Sequence, residues 1–276
     1  MSGVPTEMKL MRSAGPGPAA STLEQSLLSV AGVSRSFGGV RAVTDVSFAV
    51  PAGALYGLIG PNGAGKSTVM NIIAGTERTD RGTIEFRGAV VNRLADFQRA
   101  RRGIVRAFQH ATVFGRMTVL ESLLVAYPDL PGQTYRDVFS RPRRRWAERE
   151  QALIERSVAL LDRFDMRRTA NEYTSNLSGG QKKLLELMRA VCADPVLLLL
   201  DEPFAGVHVR NVEAVCELLA EVRDGGVTIL MTEHELNLVE RLCEVVIVMA
   251  RGSVIYQGSL TEGLREQEVI EAYVAG

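Results

Sequence analysis

The stretch "GLIGPNGAGKST", Gly57 to Thr68, ends a strand-like apolar run in four glycines, a lysine and two hydroxyls. Gly60 to Ser67 fits the pattern G-x-x-x-x-G-K-[ST], and it follows a strand and opens a helix as that pattern requires. Glycines let a backbone fold around phosphate oxygens with several N–H groups turned inward, and the helix N-terminus adds its positive dipole end. Gly60, Pro61, Asn62, Gly63, Ala64, Gly65, Lys66, Ser67 and Thr68 are therefore expected to bind nucleotide phosphates. Lys66 should reach the β- and γ-phosphates and Ser67 should ligate Mg²⁺.

Two further stretches belong to the same chemistry. "VLLLLDEP" reads as a buried strand ending in Asp201 and Glu202. A carboxylate at the C-terminal end of a parallel strand faces the ligand crevice, so Asp201 is expected to bind Mg²⁺ through water and Glu202 to polarise an attacking water. "LSGGQ", Leu177 to Gln181, is a second glycine-rich loop ahead of a helix. Ser178 there could contact phosphate, or it could simply cap the helix "QKKLLELMRAV". One nucleotide rarely needs two such loops.

The flanking sequence is that of an α/β protein. The 276 residues are 46% hydrophobic and 23% charged, with 32 basic and 32 acidic side chains, so nothing global points to a polyanionic partner. "LLSVAGV" and "VSFAV" read as short strands, and "KSTVMNIIAG" as a helix stopped by Gly75. "GTIEFRG" alternates like a solvated strand. From Gln109 to about Asn176 the character is helical. "TVLESLLVA" opens with a Thr118–Glu121 capping box. "RRRWAEREQALIERSVALLDRF" is amphipathic, with Ala152, Ile154, Val158, Leu161 and Phe164 as its apolar positions. The strands "VLLLLD", "VTILMT" and "VVIVMA" then alternate with helices, and being apolar throughout they suggest a parallel sheet covered on both faces.

Residues 1–26, rich in Gly, Pro, Ser and Ala, read as a flexible tail ahead of one domain at 27–276. The apolar runs are shorter than the roughly 18 residues of a membrane span. Cys192, Cys216 and Cys243 form no CxxC pair and are expected to be buried, reduced thiols. The basic run "RPRRRW" is followed by Glu148, Glu150 and Glu155, which argues for a solvated helix start or a contact with anionic lipid headgroups and against nucleic acid.

Taken in order, these motifs resemble those of the ATP-binding cassette (ABC) ATPases, over about Leu28 to the C-terminus. "GPNGAGKST" resembles that family's Walker A loop, "LSGGQ" its signature and "VLLLLDEP" its Walker B strand. His234 in "MTEHE" resembles the switch histidine, Gln109 in "RAFQ" the Q-loop glutamine and Phe37 the aromatic that stacks on adenine. The resemblance implies a P-loop NTPase fold of ABC type: a RecA-like core, an antiparallel β-subdomain and an inserted helical subdomain at about residues 110–177. It implies ATP hydrolysis with Mg²⁺ held by Ser67, Gln109 and Asp201, and with Glu202, His234, Gln109 and Lys66 as catalytic groups. It also implies a head-to-tail dimer in which Ser178, Gly179, Gly180 and Gln181 of one subunit close on ATP held by the other. One departure stands out. The family usually carries an acid or amide five positions beyond the Pro of "DEP", and here that residue is His208.

"RAFQHATVFGRMTVLESLLVA" and the ending "VIEAYVAG" further resemble ATPase subunits of branched-chain amino acid importers. Urea and amide importers and lipid or lipopolysaccharide exporters use similar ATPases, and a soluble assembly ATPase is the more distant reading. An importer implies transmembrane permease subunits, a second ATPase subunit, indirectly a periplasmic or extracellular substrate-binding protein, and a peripheral place on the cytoplasmic face of the membrane. Val113, Phe114 and Met117 would then face the permease.

Overall fold

The structure, a computed structural model, describes residues 26–107, 115–128, 130 and 143–274. The strands are β1 (Ser26–Phe37), β2 (Val40–Pro51), β3 (Leu55–Ile59), β4 (Arg81–Phe86), β5 (Ala89–Val90), β6 (Ile104–Ala107), β7 (Leu197–Asp201), β8 (Thr228–Thr232), β9 (Val245–Ala250) and β10 (Ser253–Gly258). The helices are α1 (Lys66–Ala74), α2 (Asp96–Ala100), α3 (Val119–Leu124), α4 (Arg143–Arg163), α5 (Gly179–Cys192), α6 (Val209–Asp224), α7 (Leu236–Leu242), α8 (Leu260–Gly263) and α9 (Gln267–Val274). The tail expected at residues 1–26 lies almost wholly outside the described residues.

Two sheets form. The first is antiparallel in the order β2-β1-β4-β5, and the second runs β10-β9-β3-β8-β7-β6. β1 and β2 are longer than the short strands read from the sequence. They pair from Ser26↔Pro51 to Phe37↔Val40. Gly38 (φ 51°) and Gly39 (φ 92°) make the turn, a positive-φ pair of the kind a tight hairpin requires. In the second sheet β9, β3, β8, β7 and β6 run parallel, with only β10 antiparallel.

The leucine run of β7 shows why these strands are apolar throughout. Leu197 and Leu199 join the core shared with α1 and the antiparallel sheet, whereas Leu198 and Leu200 join a second core beneath α3, α4, α5 and α6. Successive side chains point to opposite faces, and both faces are covered. α1 lies between the sheets, with Ile72 and Ile73 buried alongside Phe48, Ile84 and Leu58.

The helical segment follows its caps and its pattern, with one change. Thr118 caps α3 by accepting from Glu121 N, and the Glu121 carboxylate accepts from Thr118 N. In α4, however, Ala152 is exposed. The inward line runs Leu153, Ser157, Leu160, Leu161 and Phe164: Leu161 and Phe164 are buried as expected, whereas in the first half Leu153 and Ser157 turn inward and Ile154 and Val158 are half-buried. Tyr127, whose hydroxyl lies 3.5 Å from Ser157 Oγ, admits that small polar residue to the buried face.

Arg99 of α2 is 2% exposed, and its hydrogen bonds go to backbone carbonyls rather than to a carboxylate. Its guanidinium donates to the carbonyls of Ile72 (2.6 Å), Ile73 (2.8 Å) and Leu94 (3.2 Å). The first two are last-turn carbonyls of α1, where partners within the helix run out; Ile72 O also accepts from the C-cap Gly75 N at 3.3 Å. Burial lowers the guanidinium pKa from its ordinary value, and the helix C-terminus supplies the compensating negative dipole end. Replacing Arg99 by alanine should destabilise the fold by about 2–4 kcal/mol, since it orphans buried acceptors. Urea unfolding measures this, and Arg99→Lys should recover only part of the loss.

The described cysteines are free, with Cys192 and Cys216 buried and Cys243 half-buried. Burial pushes the Cys192 thiol from 9.0 up to about 11, and burial likewise pushes the neighbouring Tyr127 phenol up to about 12. The folded chain keeps these protons where the unfolded chain loses them. Stability present below pH 9 should therefore fall as pH rises towards 11. Unfolding curves across that range should show a shallower decline in Cys192→Ala than in the wild type.

Candidate active site

Parallel pairing brings the site together. β3, β8 and β7 are neighbours, with Leu58 opposite Thr232 and Thr232 opposite Asp201. Their C-terminal ends share one edge, and the chain leaves that edge at Gly60, Glu202 and Glu233. β6 joins the same edge through Ala107↔Leu200, two residues before Gln109. Gln109 itself lies outside the described residues, as do Val113 and Phe114, while Met117 is half-buried.

The phosphate loop is tightly specified. Gly60 has φ 141°, and a Cβ there would stand 2.0 Å from the Met249 carbonyl oxygen of β9. Gly65 has φ 98°, and its Cβ would meet the Ala42 carbonyl at 2.6 Å. Gly252 N donates to Ala64 O at 3.1 Å, which braces the loop from the β9–β10 turn. Tyr273 of α9 also lies beside Gly60 of the loop, and burial raises its phenol pKa against the opposing effect of the Gly60 backbone. Gly65 precedes α1 in a left-handed conformation and supplies no side-chain cap, so the first N–H groups of α1 are available to an anion.

Lys66 is buried. Its Nζ donates to the carbonyls of Gly60 (2.7 Å) and Pro61 (3.0 Å). Burial lowers its pKa, opposed by the charges of Glu202 and Asp201. An ammonium held by neutral carbonyls inside a glycine loop fits a phosphate. Asp201 is buried and accepts from Thr232 Oγ1 (2.6 Å) and Arg106 Nη2 (2.8 Å). The Ser67 hydroxyl and the Asp201 carboxylate are hard oxygen donors of the type magnesium takes beside phosphate and water.

Glu202 adopts φ +51°, which is uncommon outside glycine and collects at functional sites. Its N–H donates to Thr232 O and lies 3.1 Å from Thr232 Oγ1, so the strand end holds the turn. His234 Nε2 lies 2.9 Å from Glu202 Oε1. The buried Glu233 carboxylate accepts from His234 N at 2.8 Å and Glu235 N at 3.3 Å, fixing the backbone behind the imidazole. Lys183 of α5 faces the same carboxylates. Burial lowers its pKa, against the charges of Glu202, Glu233, Glu186 and Asp201.

The second glycine loop caps α5. Ser178 Oγ accepts from Gln181 N, and Gln181 Oε1 accepts from Ser178 N. Capping and phosphate contact are compatible, because Ser178 and Gly179 remain exposed. Gly180 packs on the loop after Glu202, where a Cβ would come within 2.9 Å of Gly206 O. His208 caps α6, its Nδ1 accepting from Arg210 N at 3.3 Å. An imidazole thus takes the acceptor part that an aspartate or asparagine usually plays at such a position. Phe37 ends β1 at 41% exposure, with the Arg35 guanidinium 4.8 Å from its ring centre. Arg35 is itself held by Asp80 at 2.8 Å and Glu77 at 3.1 Å.

Arg106, Thr232, Glu233, Lys183 and Tyr273 were not singled out from sequence. Thr232 and Glu233 were within reach, since they end a strand on the edge already chosen. Arg106 carried the signal of a lone charge in the run "GIVRAF". Tyr273 carried none, because only tertiary packing brings α9 to the phosphate loop.

Comparison with known proteins agrees with this geometry. Residues 43–205 match the family model described as ABC transporter. The chain is 36% identical over 248 residues to the probable branched-chain amino acid transport ATP-binding protein LivG of Archaeoglobus fulgidus, covering 90% of this chain and 95% of that protein. It is 36% identical over 254 residues to the high-affinity branched-chain amino acid transport ATP-binding protein LivG of Escherichia coli, covering 91% and 99%. It is 30% identical to the lipopolysaccharide export system ATP-binding protein LptB of Haemophilus influenzae, covering 90% and 97%. Among solved structures, a nucleotide-free ATP-binding cassette from an ABC transporter superposes with TM-score 0.74 at 30% identity, over 90% of this chain. An ABC transporter cassette in its ADP conformation gives the same score and identity over 91%.

Gly60→Ala should abolish nucleotide binding, because its Cβ cannot coexist with the Met249 carbonyl. Titration with a fluorescent ATP analogue tests this. Gly63→Ala should be milder, since nothing lies within 4 Å of a Cβ there and only its φ of 77° is unfavourable.

Proposed function

Because the chain belongs to the ABC transporter family as an ATP-hydrolysing subunit, we propose that it powers import of branched-chain or related amino acids. The names of the relatives at 36% identity support that substrate class. The observation that carries the chemistry is the Glu202–His234 pair, 2.9 Å apart on the strand edge that also bears the Lys66 loop. Residues 27–276 act as one ATPase domain, with about 110–177 as its helical subdomain.

Each group has a task in this reading. Phe37 offers an exposed ring to the adenine. Gly60 to Thr68 wrap the phosphates, and Lys66 leaves its loop carbonyls to neutralise the γ-phosphate. Ser67 and Asp201 would hold a magnesium ion, with Gln109 as the resemblance implies, and the ion would compensate charge on the phosphate oxygens. Glu202 accepts a proton from the attacking water, and His234 orients that carboxylate and the water. Ser178, Gly179, Gly180 and Gln181 are exposed or half-exposed, with the dipole end of α5 behind them, which suits contact with nucleotide on a second subunit. The dimer is thus head to tail, self-paired or with a similar subunit.

Among the described residues no helix is long and apolar enough to cross a membrane. In this reading transmembrane permease subunits anchor the ATPase to the cytoplasmic face, and a substrate-binding protein acts from the far side. No nucleic acid takes part.

General-base assistance is worth ~10²–10⁴ in rate, so Glu202→Gln should lose that factor in phosphate release while keeping its ATP affinity. If turnover survives, the assignment of the base is wrong. Used as bait in detergent-solubilised membranes with ATP, the same variant should retain permease subunits that a Lys66→Ala control does not. Enrichment of soluble proteins alone would overturn the transporter partnership, and enrichment of a lipopolysaccharide export permease would overturn the substrate class.

A further inference from the structure

The carboxylate expected to serve a metal is already paired with a cation. Arg106 Nη2 donates to Asp201 Oδ2 at 2.8 Å, with side chains 8% and 1% exposed. Its Nη1 bonds Asn71 Oδ1 on α1. The other Asp201 oxygen accepts from Thr232 Oγ1 at 2.6 Å. One guanidinium therefore ties β6 to both β7 and the helix that follows the phosphate loop. Lys66 and Lys183 place two more positive charges near Asp201.

A buried carboxylate needs a partner, and Arg106 supplies one. A divalent cation approaching Asp201 meets that positive charge at short range, in surroundings where charges are poorly screened. Nucleotide phosphates would offset the repulsion. We propose that Arg106 is a positioning residue that competes with the divalent cation for Asp201, so that metal enters only together with nucleotide. Arg106 sets the order of assembly and does not itself touch the reacting atoms. The inference rests on the reading of Asp201 as a metal-binding residue.

Mn²⁺ serves as the probe, with the free ion counted by electron paramagnetic resonance on the full chain. Without nucleotide, wild type should bind Mn²⁺ weakly and Arg106→Gln roughly tenfold or more tightly, given the close-range repulsion removed. Arg106→Lys keeps the charge and should resemble wild type. Asn71→Ala frees one anchor of the guanidinium, leaves the charge in place and should give an intermediate gain. It keeps the test open if Arg106→Gln does not fold. Adding Asp201→Asn to either gaining variant should erase the gain. Unchanged nucleotide-free Mn²⁺ affinity in the folded variants would overturn the inference. A separate control distinguishes the underlying reading: if Asp201→Asn leaves Mn²⁺ binding in the presence of ADP unaltered, Asp201 is no metal residue and both fall.

Discussion

Parallel pairing of β3 with β8 and of β8 with β7 is the constraint on which the rest depends. In a parallel ladder every strand delivers its C-terminus to the same edge. The phosphate loop, Asp201, Glu202 and His234 come from distant parts of the chain and still meet there. Thr232 is the joint, because it lies opposite both Leu58 and Asp201. Its hydroxyl holds the Asp201 carboxylate, and its carbonyl holds Glu202 in the left-handed turn. The same pairing requires strands buried on both faces, which accounts for the alternating assignment of the β7 leucines to two cores.

The charge arrangement follows from that convergence. Acidic groups collected at one edge would repel if left alone. Here each has a nearby cation or donor: Arg106 and Thr232 for Asp201, His234 for Glu202, and backbone N–H groups for Glu233. Lys66 and Lys183 complete the balance from α1 and α5. Such a site is poised for exchange, since phosphate can take over Lys66 from neutral carbonyls. The loop can stay firm during that exchange because its shape is held by backbone contacts with Ala42, Met249 and Gly252.

The two glycine loops differ in what backs them. The first is packed so closely that a methyl group at Gly60 or Gly65 collides with backbone. The second is exposed at Ser178 and Gly179 and closed on itself by the Ser178–Gln181 cap. A loop with a helix dipole behind it and open space before it suits a surface completed by another subunit. His208 belongs to the same face and shows how the departure from an acid or amide is tolerated: an imidazole nitrogen still accepts at the helix start.

Much of this was legible without coordinates. Local rules depend on a few neighbouring residues, so the phosphate loop, the Thr118 and Ser178 caps, the stop of α1 at Gly75 and the apolar strands could be read directly. Motif order then led to the family, and with it the antiparallel sheet and the roles expected of Glu202 and His234. Tertiary structure decided what depends on contacts distant in sequence. In the first half of α4 Ser157 took a buried place beside Tyr127 while Ala152 stayed exposed. The last carbonyls of α1 found Arg99, the phosphate loop found Tyr273, and Asp201 found Arg106. A lone charged or aromatic side chain carries no local periodicity that reveals its partner, so its part is set only when the chain folds.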